Sequence, residues 1–261
     1  MKKLVVLILI LTLYNSCTTQ KKLSYLENLA DTGDVETFVM DFPDYRIQYR
    51  DILYITIKAM TPDGTINDFL SSLGRAGNVY TQSEAGQYIY GYDVNSEGNI
   101  RIPVLGMLKV TGFTLEEARE IIQNAADLHF KNTTVECKLL SYKFTVFGEV
   151  QSPGTFINYN NYLTVLEAIG RAGGITDLGR RDKVQVIRPF EGGARTYTLN
   201  LQDKNILTSE AYFLLPNDVV IVEPEAKKIF NMNLPAYSFI ISTATSLITS
   251  TLLLINYFKS E

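Results

Sequence analysis

Residues 147–189, FGEVQSPGTFINYNNYLTVLEAIGRAGGITDLGRRDKVQVIRP, decide the fold. Phe144, Val146 and the Gly148-Glu149-Val150 that follows form a β-segment. In Ser152-Pro153-Gly154 the proline pre-sets one φ angle and the glycine accepts a positive one, which makes a turn. Thr164-Val165-Leu166-Glu167 is a capping box, whose hydroxyl and carboxylate satisfy the orphan amides of a helix start. Val165, Ala168, Ile169 and Ala172 then recur at helical spacing, and Gly173 and Gly174 suit a left-handed stop. Val184, Val186 and Ile187 restart a strand. The glycines at 170, 173, 174 and 179 fit neither GxxxxGK[ST] nor GxGxxG, so they are turn makers and not a phosphate cradle.

Outward from this block the same chemistry continues. Residues 196–201 and 219–222 add strands, and Leu215-Pro216-Asn217-Asp218 is the turn before the last one. Upstream, YRIQYRDILYITI at 45–57 alternates and is rich in aromatic and β-branched residues, predicting strand, kink, strand. NSEGNIRIPVLGMLKV at 95–110 is a turn between strands. Thr114-Leu115-Glu116-Glu117 is a second capping box, with Ala118, Ile121, Ile122 and Ala125 on one helical face. A strand at 135–139 follows. Residues 58–92 are a long Gly-, Ser-, Asn- and Tyr-rich loop with a short helix expected at 67–73. Its Tyr80, Tyr88, Tyr90 and Tyr92 suit cross-strand aromatic pairs, the preferred reading, or stacking on sugar rings.

Three features of this sequence resemble bacterial polysaccharide export proteins. GEVQSPGTF, LTVLEAIGRAGGI and VQVIRP, in that order, resemble the β-grasp-like SLBB domain. Tyr45, Asp51, Leu53, Ile55 and Ile57 fall on the opening of the polysaccharide export domain, with Arg50 where that family carries glycine. Glu97, Ile100, Ile102, Pro103 and Gly106 match its "DG-x-I-x-(I/L)-P-x-(L/I)-G" signature, with glutamate for aspartate. Asp218 resembles the aspartate before the last SLBB strand. The expected class is thus α+β: an export domain at 44–141, an SLBB domain at 142–225, and one C-terminal transmembrane helix.

The ends of the chain predict membrane attachment. Lys2 and Lys3 precede an apolar run at 4–13, too short to span a bilayer, and Ser16 stands before Cys17. Residues 1–16 are expected to be a signal peptide and LYNSC resembles a lipobox, making Cys17 the lipid attachment site. Removing Lys2 and Lys3 takes the formal charge from −4 to −6. No acidic residue directly follows Cys17, which by known sorting rules favours an outer-membrane anchor with a periplasmic body. Residues 17–43 are expected to be a polar tether, with a short helix near 23–29. If Cys17 is lipidated, Cys137 has no partner and suits a buried small hydrophobe.

Residues 229–258 carry no charge, enough to cross a hydrocarbon core of about 30 Å. Tyr237, Phe239, Tyr257 and Phe258 suit the two interfaces, and Pro235 is placed near the helix start. Ser238, Ser242, Thr245, Thr249 and Asn256 recur at three, four and seven along one stripe, opposite Ile240, Ala244, Leu247, Leu254 and Ile255. That stripe is the candidate pore lining; a simple lipid-facing anchor is the other reading.

The sequence points away from catalysis and nucleic acid. It has no basic excess to recruit nucleic acid. His129 is the one histidine, too few for a two-histidine metal site, and no nucleophile elbow accompanies it. Arg180-Arg181-Asp182-Lys183 is expected as a solvated turn, the alternative being a contact with an anionic polymer or a neighbouring subunit. No cofactor or metal is expected. The resemblance implies a Wza-like export lipoprotein of a two-membraned bacterium: a homo-oligomeric ring, octameric in well-described relatives, that conducts polysaccharide through the outer membrane. Its implied partner is an inner-membrane polysaccharide copolymerase or tyrosine kinase. The alternative is a membrane-anchored periplasmic ligand-binding or scaffolding module.

Overall fold

A computed structural model of the chain describes residues 23–29, 33, 35–60, 64–70, 90–190 and 192–259. Two hydrophobic clusters organise it, one on each side of residues 140–142. The first is built on β1 (Ile52–Met60), whose Leu53, Ile55 and Ile57 alternate inward. Along one edge β1 pairs antiparallel with β6 (Thr133–Leu139). Along the other it meets β3 (Tyr92–Asp93) at its start and β2 (Ile66–Asp68) at its end. The hairpin of β4 (Asn99–Ile102) and β5 (Gly106–Lys109) sits beside this sheet and contributes Ile100 and Ile102 to the core.

Helix α1 (Leu115–Asp127) closes the first core with Ala118, Ile122 and Ala126, one residue further along than the sequence pattern for its last position. Its capping box forms as the sequence predicts: the Glu117 amide donates to the Thr114 hydroxyl, and the Thr114 amide donates to the Glu117 carboxylate at 2.7 Å. Gln123 pins the helix to β6, accepting from the Val135 amide and donating to the Thr133 carbonyl. Full burial of a side chain such as Ile122 stabilises by roughly 1.5–3 kcal/mol.

The second domain is a five-stranded sheet in the order β11-β10-β13-β7-β8. Its strands are β7 (Lys143–Gly148), β8 (Gly154–Ile157), β10 (Gly179–Phe190), β11 (Gly193–Leu199) and β13 (Val219–Pro224). Only β13 with β7 is parallel; the other pairs are antiparallel. A small ladder of β9 (Leu163–Thr164) with β12 (Phe213–Leu214) flanks it. Helix α2 (Val165–Arg171) covers the core with Val165, Ala168 and Ile169, starting at the Thr164 capping box and stopping where Gly173 and Gly174 take positive φ. Helix α3 (Ala226–Lys259) then leaves the domain.

Several expectations change. Residues 23–29 are turns, not a helix: the Leu26 and Glu27 amides donate to the carbonyls of Leu201 and Gln202, and Leu26 joins the second core. The helix expected at 67–73 is replaced, in its described part, by β2 and a turn in which Asp68 accepts from the Leu70 amide. Residues 180–183 lie within β10, and Arg181 is buried because carbonyls of the preceding turn surround its guanidinium. Helix α3 begins at Ala226, so Pro235 falls inside it and not in its first turn. Tyr92 is a core residue of the first domain, while Tyr80 and Tyr88 lie outside the described residues.

Candidate functional site

Helix α3 is the element on which the pore-lining expectation rests. Its stretch Tyr237–Ile255 is long and apolar enough to cross a membrane, and nothing among the described residues covers it. Ser242, Thr245 and Thr249 lie on one exposed stripe with Ser238, as their spacing requires. Asn256 falls on the same helix, but its side chain lies outside the described set.

The hydroxyl protons of Ser242, Thr245 and Thr249 stay within the helix. Ser242 Oγ donates to the Phe239 carbonyl at 2.9 Å, Thr245 Oγ1 to Ile241 at 2.8 Å, and Thr249 Oγ1 to Thr245 at 2.7 Å. Thr243 and Thr251 do the same toward Phe239 and Leu247. Such back-bonding removes the donor that would be costly in hydrocarbon. The hydroxyl oxygens still face outward and can accept from water. Ile240, Leu247 and Leu254 lie exposed on the opposite side. The geometry therefore suits both a water-facing stripe and a lipid-facing one.

The root of α3 is tied into the second domain. Lys228 Nζ donates to Glu149, whose other oxygen accepts from Thr176 Oγ1 at 3.0 Å, and the Glu225 amide donates to the Leu178 carbonyl at 2.7 Å. The bond from Lys228 holds the Glu149 carboxyl below its ordinary range. Gly148, next to Glu149, has φ +90°, and a Cβ there would meet the Val222 carbonyl oxygen at 2.0 Å. Only glycine lets β7 run this close to β13 before the chain turns toward the helix root.

The same turn receives the N-terminal segment. Arg181 donates to the carbonyls of Ile175, Thr176 and Gly179, and its guanidinium lies over the Tyr25 ring at 5.4 Å. Asn28 donates to Asp203, and Lys204 pairs with Glu36 at 2.9 Å. Residues 175–181 thus contact both the segment that follows Cys17 and the root of α3. Cys17 itself lies outside the described residues. It precedes Leu23 by six residues, a reach of about 20 Å when extended.

At the junction of the two domains, Asp51 is buried and accepts from Tyr45 Oη at 2.7 Å, the Gln48 amide at 2.8 Å and Ser141 Oγ at 3.1 Å. Burial is the largest influence on both acids: it raises the Asp51 carboxyl, against its hydrogen bonds, and drives the Tyr45 phenol far above its ordinary range. Cys137 is half-buried against the first core, where burial pushes its thiol up to about 12.

His129 follows α1 and lies beside the Phe130 ring. Glu117 is spent on its cap and Glu116 on Arg119. Among the described residues no three His, Cys, Asp or Glu side chains are grouped to hold a metal ion.

Residues 41–140 match the family described as polysaccharide biosynthesis/export protein, and residues 142–222 match the SLBB domain. The chain is similar to the EPS I polysaccharide export outer membrane protein EpsA of Ralstonia solanacearum, 29% identical over 204 residues. That match covers 76% of this chain and 52% of the relative. It is also similar to EpsA of Ralstonia nicotianae, 29% identical over 177 residues, covering 66% of this chain and 44% of the relative. The chain spans about half the length of the curated relatives it matches.

Proposed function

This chain belongs to the Wza-like polysaccharide export family, with an export domain followed by an SLBB domain, and on that premise we propose that it is an outer-membrane subunit for export of capsular or extracellular polysaccharide. Copies assemble into a ring around a lumen. The periplasmic body carries the two globular domains, and one α3 per subunit crosses the outer membrane. Transport is passive, and an inner-membrane polysaccharide copolymerase or tyrosine kinase is the partner that coordinates synthesis.

The observation that carries this reading is the uncovered α3 helix, rooted in the second domain by Lys228 and Glu149. An apolar helix that no described residue covers is suited to lipid or other copies of itself around it. A lipid at Cys17 would hold the body to the same membrane, because the segment that follows Cys17 docks on the turn that also holds the helix root.

Deletion tests the proposal. Cells without the protein should lose surface polysaccharide while the inner-membrane assembly enzymes stay intact, and the detergent-purified protein should image as rings. Normal surface polymer in a deletion strain with no paralogue expressed would count decisively against export.

A further inference from the structure

A cleft of about 1100 Å³ lies at the junction of the two domains. The turn at 46–51, the hairpin flanks at 96–98 and 109–112, and the linker at 140–143 form one wall. Residues 189–190 and 216–217 of the second domain form the other. The volume is at the upper end of those that hold small ligands, with room for more than one sugar ring.

The charge of this cleft opposes that of the chain. Arg46, Arg50, Lys109 and Lys143 line it, against Asp51 and Glu97, in a protein of formal charge −4. Asp51 is buried, and its oxygens are occupied by Tyr45, Gln48 and Ser141. The Lys143 ammonium has no partner among the described residues. The Thr111 hydroxyl is buried in the wall, also without a partner there. Gln48 and Asn217 add carboxamides from opposite walls.

Arg50, on the same wall, holds a strained backbone. Its φ is +73°, a conformation that favours glycine and that a long side chain adopts only under strain. Its side chain is exposed and does not support the core. Its guanidinium lies over the exposed Tyr49 ring, 5.1 Å from the centroid, at the cleft. Beyond that ring the guanidinium is exposed toward the cleft and available to a ligand. Guanidinium and ammonium groups take carboxylates in charge-assisted bonds, while carboxamides and hydroxyls take sugar hydroxyls.

We propose that this cleft is a binding site for an acidic saccharide, with Arg50 and Lys143 taking its carboxylates. The inference rests on the export reading and deepens it by naming a carboxylate-bearing glycan as the substrate class.

The full chain, purified in detergent, can be titrated calorimetrically with an oligogalacturonate and with a neutral malto-oligosaccharide of equal length. The acidic sugar should bind and the neutral one should not. Arg50→Gly should weaken binding by about tenfold or more, the loss of one charge-assisted bond, and should raise the melting temperature by relieving the strain. Lys143→Gln should weaken binding by a similar factor. Lys131→Gln, on an exposed lysine after α1, should change nothing. Four results would each overturn the site: equal binding of the neutral sugar, unchanged affinity in Arg50→Gly, an equal loss in Lys131→Gln, or tighter binding of a polyglutamate peptide. The titration reads purified protein and the deletion reads cells, so either idea can fail while the other stands.

Discussion

The guanidinium of Arg188 sits on the carboxylate of Asp218, with Nη2 2.9 Å from Oδ2. Asp218 is wholly buried, and Arg188 is 8% exposed. Arg188 also donates to the Phe213 carbonyl at 2.8 Å, and Asp218 accepts from the Leu215 amide at 2.7 Å. One pair thus joins β10, the β12 edge and the turn that leads into β13. Burial is the largest influence on Asp218 and raises its carboxyl, while Arg188 pulls the other way. Removing one member of a buried pair strands the other charge, which costs about 3–5 kcal/mol. Arg188→Met should therefore unfold at markedly lower urea, followed by tyrosine fluorescence of the detergent-solubilised chain. A loss under about 1 kcal/mol would show that the pair does not hold this corner.

Tyr45 and Asp51 give a pH test. A carboxyl whose pKa is raised on folding binds its proton more tightly in the folded state. The stability it contributes is fully present below the unfolded value, about 3.9, and is lost as pH rises through the raised folded value. Asp51 is raised by burial, so its contribution falls across that window. Asp51→Asn cannot titrate, and its carbonyl can still accept from Tyr45 and the Gln48 amide. The stability of the wild type minus that of Asp51→Asn should fall as pH rises from about 4 and then level. Asp218 titrates in both proteins and cancels to first order. Urea midpoints at a series of pH values measure the difference; a gap that widens with rising pH would contradict the assignment.

Much of this was legible because it is local. The capping boxes at Thr114 and Thr164 and the Gly173-Gly174 stop depend on residues within one turn, and all three form. Motif positions pointed to Tyr45, Asp51 and Asp218 without their contacts. Arg188 stayed hidden because it lies 30 residues from Asp218 and alternates in an ordinary strand. The docking of residues 25–28 was hidden for another reason: main-chain pairing of Leu26 and Glu27 with Leu201 and Gln202 leaves no side-chain signature. Arg181 looked solvated among its charged neighbours, since only the fold brings three carbonyls around it. The cleft combines segments from 46 to 217, which no spacing within the sequence brings together.

Lipidation at Cys17 is a proposal with a direct assay. The apolar run ends one small residue before it, and the docked residues 25–28 begin eight residues later. Metabolic labelling with a palmitate analogue should mark the wild type and not Cys17→Ser. Equal labelling of both would end the idea.

The orientation of α3 in an assembly is the most informative test. Ser238, Ser242, Thr245 and Thr249 share a stripe, and the last three donate to carbonyls of their own helix. That bonding lets the stripe face lipid without an unpaired donor, so the hydroxyls alone do not assign it to water. What distinguishes the two sides is the run Ile240, Leu247, Leu254 opposite, which offers lipid a cleaner apolar face. In the ring we propose, that face should lie outside and the hydroxyl stripe inside, with its oxygens free to accept from lumen water. Single cysteines in a Cys137→Ala background report this directly, since a free thiol reacts through its thiolate, which forms in water and not in hydrocarbon. Cysteines at positions 242, 245 and 249 should react with a small water-soluble thiol reagent in intact assemblies, while those at 240, 247 and 254 should be protected. Equal protection of both sets in open assemblies would leave α3 as an anchor only, and reaction of the second set alone would turn the helix around.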